Sequence, residues 1–362
     1  GIAIIMVVMH HLFIPYTSTR SFHPGQIDSG GPFALFINNA QLGVKIFFVL
    51  SGFVLYLPYC TGRRTVASRA DILGFYAHRA WRLLPLYYIV VLVTMSLHAA
   101  NPVGSHAWYL EFAALLSTLF TFSAHGFLPP SNVVLWSVSV EIWFSALFPF
   151  FVLAVRRWPI AGVVIATTAA CLVFSYIGKQ IPIERVGQFA PFTSGLFATC
   201  KEFLFGMLVC HCYVAGLGDP ALRARHACLL WPGFAFMLVA FYLIWRGAFF
   251  ASAINYRALL FTVGFSMFLL GVISGASPMR WLLQTWPLQV VGCMCYSIYA
   301  WHGIMMNEMV PPETSLLADT MRLLLPYLAV TFALCALSYR YIEFGRERNS
   351  KPSFLIPERS DA

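Results

Sequence analysis

The sequence has little charge. Of its 362 residues only 10% are Asp, Glu, Lys or Arg, where soluble globular proteins carry roughly 25%. That scarcity excludes an ordinary soluble enzyme, and it leaves no polar stretch long enough to link a second domain. The opening GIAIIMVVM lacks a basic leader and a small-residue cleavage site, so no signal peptide is expected. The chain does not begin with methionine, and we expect residues to precede Gly1. No internal repeat is visible. The Cys-x-Cys pairs lack the spacing of common zinc sites, so no metal is expected, and the nine cysteines, mostly in apolar segments, read as free buried thiols. The formal charge of +9 could suggest nucleic acid. The basic residues sit in loops flanking apolar segments, however, which fits membrane orientation and not a nucleic-acid partner.

What is present is apolar: 59% of the residues are hydrophobic. Apolar segments about 17–25 residues long, joined by short polar stretches, run to about residue 343, which predicts an all-α polytopic membrane protein. Hydropathy predicts ten transmembrane helices, near 1–16, 40–59, 83–99, 136–155, 160–178, 196–215, 228–246, 256–275, 289–306 and 321–341. The apolar stretch 107–124 has His106, His125 and Pro129-Pro130 around it, and reads as an interfacial or re-entrant piece. With both termini cytoplasmic, fifteen Lys and Arg fall on the inner side and seven on the outer, the bias the positive-inside rule asks for. The expected division is a membrane domain, 1–343, and a polar cytoplasmic tail, 344–362.

A few polar residues break the apolar segments. Glu141 lies in LWSVSVEIWFSALFPFFVL, Leu135 to Leu153, where a carboxylate costs roughly 2.5–3.5 kcal/mol to insert and so needs a partner. Ser137, Glu141 and Ser145 recur every four residues and form a stripe on one helix face. Counting helix rise from the ends of the expected spans puts His11, Lys45, Glu141 and His302 in one layer, in the outer half of the membrane. Each has a plainer reading. Lys45 could snorkel to the interface, His302 could be a hydrogen-bonded core histidine, and Glu141 could pin two helices. His10 points about 100° away from His11 and reads as a packing residue. On the inner side, Arg79 and Arg82 stand at the expected start of the third span, with Pro85 in its first turn. Guanidinium suits phosphate, although both could be ordinary membrane-flanking anchors.

The motifs GIAIIMVVMHH, GVKIFFVLSGFVLY, HRAWRLLPLYY, WSVSVEIWFSALFPF, FLFGM, GCMCYSIYAWH and SYRYIEF follow one another along nearly the whole chain. In that order and spacing they resemble the acyltransferase 3 family, bacterial integral-membrane enzymes that O-acylate polysaccharides, lipopolysaccharide, peptidoglycan and small glycosides. The family's first helix carries an arginine and, ten residues later, a histidine. Here His11 fills the histidine position, and the arginine would fall just before Gly1. The family's Arg-x-x-Arg matches Arg79 and Arg82, and its Trp-Ser-x-x-x-Glu matches Trp136, Ser137 and Glu141.

The resemblance implies transfer of an acyl group, acetyl first, from cytoplasmic acyl-CoA to a saccharide hydroxyl at the outer half of the bacterial inner membrane. His11 would be the general base and Glu141 its orienting partner, while Lys45 or His302 would stabilise the thioester oxyanion and Arg79 and Arg82 would hold the CoA phosphates. A covalent acyl-histidine is equally compatible with these residue types. Exopolysaccharide, lipopolysaccharide or a lipid-linked oligosaccharide is the expected acceptor, with a small glycoside such as an antibiotic as alternative. Two readings from other classes stay open: a secondary transporter using the intramembrane His, Lys and Glu, and a non-catalytic lipid-binding or scaffold protein.

Overall fold

In the computed structural model the described residues are 1–17, 31–97, 99–123, 126–182, 189–246, 254–310 and 317–343, and they contain helices and no strand. The tail 344–362 lies outside them. The chain runs through α1 (Ile2–Thr17), α2 (Pro32–Asn39), α3 (Gly43–Cys60), α4 (Arg69–Leu97), α5 (His106–Ser117), α6 (Leu135–Arg157), α7 (Ile160–Gln180) and α8 (Ala190–Thr193). It continues through α9 (Leu196–Leu217), α10 (Pro220–Ala227), α11 (Leu230–Arg246), α12 (Ile254–Ser274), α13 (Pro278–Leu283), α14 (Trp286–Cys293), α15 (Cys295–Met309) and α16 (Leu317–Ser338). A π turn, Tyr339–Glu343, closes it.

Among the described residues eight helices are long and apolar enough to cross a membrane. The apolar part of α1, Ile2–Phe13, is shorter, and the span expected at 289–306 is two helices, α14 and α15, broken at Met294. The stretch expected to be interfacial or re-entrant is α5, twelve residues long, followed by a 3-10 turn. At 1.5 Å per residue such a helix covers about 18 Å, short of the roughly 30 Å hydrocarbon core. Thr118 ends it in the left-handed region, at φ 58°, a strained setting for a β-branched residue. Its carbonyl is held there by the Ser139 hydroxyl at 2.8 Å and the Trp143 indole N–H at 3.1 Å, both from α6.

Helix α4 begins fourteen residues before the expected position 83. Ser68 and Asp71 explain this: the Asp71 N–H donates to Ser68 Oγ at 3.1 Å, and the Ser68 N–H donates back to Asp71 Oδ2 at 3.1 Å. That reciprocal capping box starts a helix ahead of the apolar run. Pro85 is therefore inside the helix and not in its first turn, and it cannot donate to the carbonyl of Trp81, four residues back.

The chain forms two compact units. The first contains Gly1–Gly43, Arg82–Ala99 and the chain from Pro278 onward. In it α1 packs on α2 and α15, and α15 packs on α16. The second contains Val44–Trp81 and Ala100–Ser277. There α11 pairs with α12, and α9 packs on α6, α7 and α12. Gly52 of α3 and Gly206 of α9 let two backbones meet, since a methyl group on either would run into the carbonyl oxygen of Phe203 or Val49.

Candidate functional site

In the first unit, α1 presents His11 and α15 presents His302, and the two imidazoles stack with centroids 5.1 Å apart. His11 Nδ1 lies 2.9 Å from His302 Nε2, while His302 Nδ1 lies 2.8 Å from the Tyr299 carbonyl and 3.2 Å from that of Ile298. His302 has no exposed surface, so its nitrogens must find partners inside the protein. Both are engaged, which leaves it no N–H for an oxyanion unless one of these bonds breaks. His10 bonds the Ile37 carbonyl through Nδ1 at 2.8 Å and meets His11 edge-on, in keeping with a packing role.

Glu141 belongs to the second unit, on α6. Its Oε1 accepts from Arg79 Nη2 at 2.8 Å and from the Ser51 hydroxyl at 3.2 Å. Arg79 Nε donates to Ser145 Oγ at 3.1 Å, and Ser145 donates to the Glu141 carbonyl at 2.8 Å. The four-residue stripe thus turns two of its members, Glu141 and Ser145, toward one guanidinium, and Ser137 is buried on the same helix. Within the first unit, the hydrogen-bond partner of His11 is His302. A carboxylate among apolar helices is stabilised by a charge-assisted hydrogen bond, here from a guanidinium. Arg79 lies ten positions after the start of α4 and is 8% exposed.

Lys45, also in the second unit, donates to Glu202 Oε1 of α9 at 2.8 Å, and Lys201 approaches the same oxygen at 3.3 Å. Lys201 also donates to the Ala198 carbonyl. Glu202 is fully buried, and among the described residues its Oε2 has no partner. Neither Glu202 nor Lys201 stands among the residues singled out from the sequence, and Lys201 lies buried within α9. The signal was available, because a carboxylate six positions into an apolar segment is the feature that singled out Glu141. Trp136 has its ring 5.5 Å from that of Phe127 and 6.5 Å from that of Phe48, and is partly exposed.

Arg82, three residues beyond Arg79, belongs to the first unit and is exposed. In the same unit, Glu343 Oε1 accepts from the Ser297 hydroxyl. Ser297 in turn lies 3.3 Å from Ser338 Oγ, which accepts from the Trp301 indole at 3.2 Å. Of the four residues expected in one layer, His11 and His302 belong to the first unit, Lys45 and Glu141 to the second. Among the described residues there is no group of three or more side chains able to hold a metal ion.

A family model described as an acyltransferase domain, Acyl_transf_3, matches residues 1–340. Among curated proteins, the chain is 23% identical over 329 residues to the peptidoglycan O-acetyltransferase OatA of Listeria monocytogenes, covering 85% of this chain and 51% of that one. It is 27% identical over 207 residues to the exopolysaccharide production protein ExoZ of Rhizobium meliloti, 53% of this chain and 57% of that one. It is 28% identical over 145 residues to nodulation protein 10 of Rhizobium leguminosarum, 35% and 37% respectively. The chain spans about half the length of the first two relatives. No solved structure matches.

Proposed function

The chain belongs to the acyltransferase 3 family, and from that premise we propose that it transfers an acyl group, acetyl first, from acyl-CoA to a hydroxyl of a saccharide. The observation that carries this reading is the His11–His302 pair: a buried histidine orients a second, partly exposed one inside a domain that matches the family from residue 1 to 340. His11 is the general base that takes the acceptor's proton. Attack on the thioester carbonyl forms the ester C–O bond, breaks the C–S bond, and returns the proton to the leaving sulfur.

The other clusters take supporting parts. Arg82, exposed and cationic, suits a CoA phosphate. Arg79, bound to Glu141 and Ser145, instead fixes α4 against α6. Lys45 holds Glu202, and Trp136 offers a partly exposed ring to the acceptor. The names of the relatives, an O-acetyltransferase of peptidoglycan and an exopolysaccharide production protein, favour a polysaccharide or lipid-linked acceptor. We place the protein in the bacterial inner membrane, with ten spans and both termini cytoplasmic.

One set of observations favours a transporter: the buried Lys45–Glu202–Lys201 and Arg79–Glu141 groups resemble the paired charges that line substrate pathways. CoA release from acetyl-CoA separates the two readings. It is measured on the purified protein in lipid, with and without a bacterial polysaccharide extract. The enzyme reading expects release that depends on the extract. No release and no acetyl-CoA binding by folded protein would overturn it and favour the transporter.

A further inference from the structure

The hydrogen bonds around His302 carry a direction. A carbonyl oxygen only accepts, so the nitrogen facing Tyr299 and Ile298, His302 Nδ1, must hold a proton. In a neutral ring the other nitrogen, Nε2, is then an acceptor. It faces His11 Nδ1 at 2.9 Å, so His11 Nδ1 must be the donor, and the lone pair of neutral His11 lies on Nε2. Free imidazole side chains in water have no such fixed assignment. Two backbone carbonyls on α15 therefore set, through His302, which nitrogen of His11 is basic. Among the described residues that Nε2 has no hydrogen-bond partner, as a group awaiting a substrate hydroxyl requires.

We infer that His302 is the positioning residue of the reaction: it locks His11 in the Nδ1–H tautomer and takes a share of the proton that His11 gains. This rests on the proposed acyl transfer. In the step, the acceptor O–H bond breaks and its proton goes to His11 Nε2, while the oxygen's electron pair forms the new C–O bond to the acyl carbon. The Nδ1 proton of His11 shifts toward His302 Nε2, so the positive charge is shared by the two rings, and the carbonyls of Tyr299 and Ile298 stabilise it by accepting from His302 Nδ1. As the C–S bond breaks, the thiolate takes the proton from Nε2 and the Nδ1 proton shifts back. Oxygen, acyl carbon, sulfur and proton all balance, and both imidazoles return to neutrality. A neutral imidazole backed by carbonyls thus fixes the tautomer of His11, as a carboxylate does behind the histidine of a serine hydrolase, and in addition shares the proton, which that carboxylate does not.

Two variants separate orientation from charge sharing. The glutamine of His302→Gln has a carbonyl that can accept from His11 Nδ1 but cannot be protonated there. In His302→Phe neither is possible. We expect His302→Gln to lower kcat about 10–100-fold with KM unchanged, and His302→Phe to lower it by about 10³–10⁴, the order lost when a histidine base is left in the wrong tautomer. Full kcat in a folded His302→Phe protein would overturn the inference. The second readout needs no activity: ¹⁵N NMR of histidine-labelled full-length protein in lipid, with His11 assigned by the signal lost in His11→Asn. Protonated Nδ1 and unprotonated Nε2 on both rings is the expected result, and an unprotonated Nδ1 on His11 would overturn the inference even if neither variant folds. If the wild-type protein turns over no acyl thioester, the proposed reaction fails, and the NMR result still decides the tautomer.

Discussion

Two residues carry the proposed chemistry, and the others hold them or hold charge. Replacing His11 with alanine removes the base and leaves a cavity beside His302; acyl transfer should vanish while the protein stays folded, and full CoA release in that variant would end the base assignment. Glu202 makes a different prediction, about stability. It neutralises Lys45 and Lys201 from a site with no exposure, and breaking a buried ion pair from one side costs about 3–5 kcal/mol. Glu202→Gln should therefore lower Tm markedly in detergent, and adding Lys45→Met should recover part of the loss because one ammonium then remains. An unchanged Tm would mean that the lysines shed their charge without it. The sequence exposed these residues only in part. A charged residue in an apolar segment announces that it has a partner, as Glu141 and Lys45 did, but it does not name that partner. Arg79 was legible as a phosphate ligand because it precedes the apolar run, and only the packing of α4 on α6 turns it toward Glu141.

Helices were legible wherever hydropathy and helix end together. The spans expected at 136–155, 160–178, 196–215 and 256–275 agree with α6, α7, α9 and α12 within about two residues, because polar joints there also stop the helix. The agreement fails at α4, where Arg69, Asp71, His78, Arg79 and Arg82 depress hydropathy while the backbone stays helical. Its start was written in a different signal, the capping box of Ser68 and Asp71. Ser68→Ala should cost roughly 0.5–2 kcal/mol, the usual value of a helix cap, seen as earlier hydrogen exchange in the first turn of α4 and little effect elsewhere. Gly206→Leu should be worse. An added side chain at the α3–α9 contact meets backbone and not a movable side chain, so overpacking of about 1–3 kcal/mol is a lower bound, and thermal unfolding should report it. The break at Met294 left no proline or polar residue to betray it.

For the whole molecule, the strongest sequence argument concerns sidedness, and it turns on α5. The fifteen-to-seven bias of positive charge holds only if the chain between α4 and α6 does not cross the membrane. If it crossed, every later loop would change sides, and Arg156 and Arg157 at the end of α6 would face outward. A helix of twelve residues is too short to cross, and the strained Thr118, held by Ser139 and Trp143, turns the chain back along α6. Val103 before α5 and Val133 after it should therefore lie on one side, and Arg64 and Trp158 on the other. Alkaline phosphatase fused after Val103 or Val133 should be active, and fused after Arg64 or Trp158 inactive, with a fluorescent reporter giving the opposite pattern. Unlike activities at 103 and 133 would mean that the segment crosses. The topology would then have to be redrawn from α6 onward, and with it the side of the membrane to which the acceptor is brought.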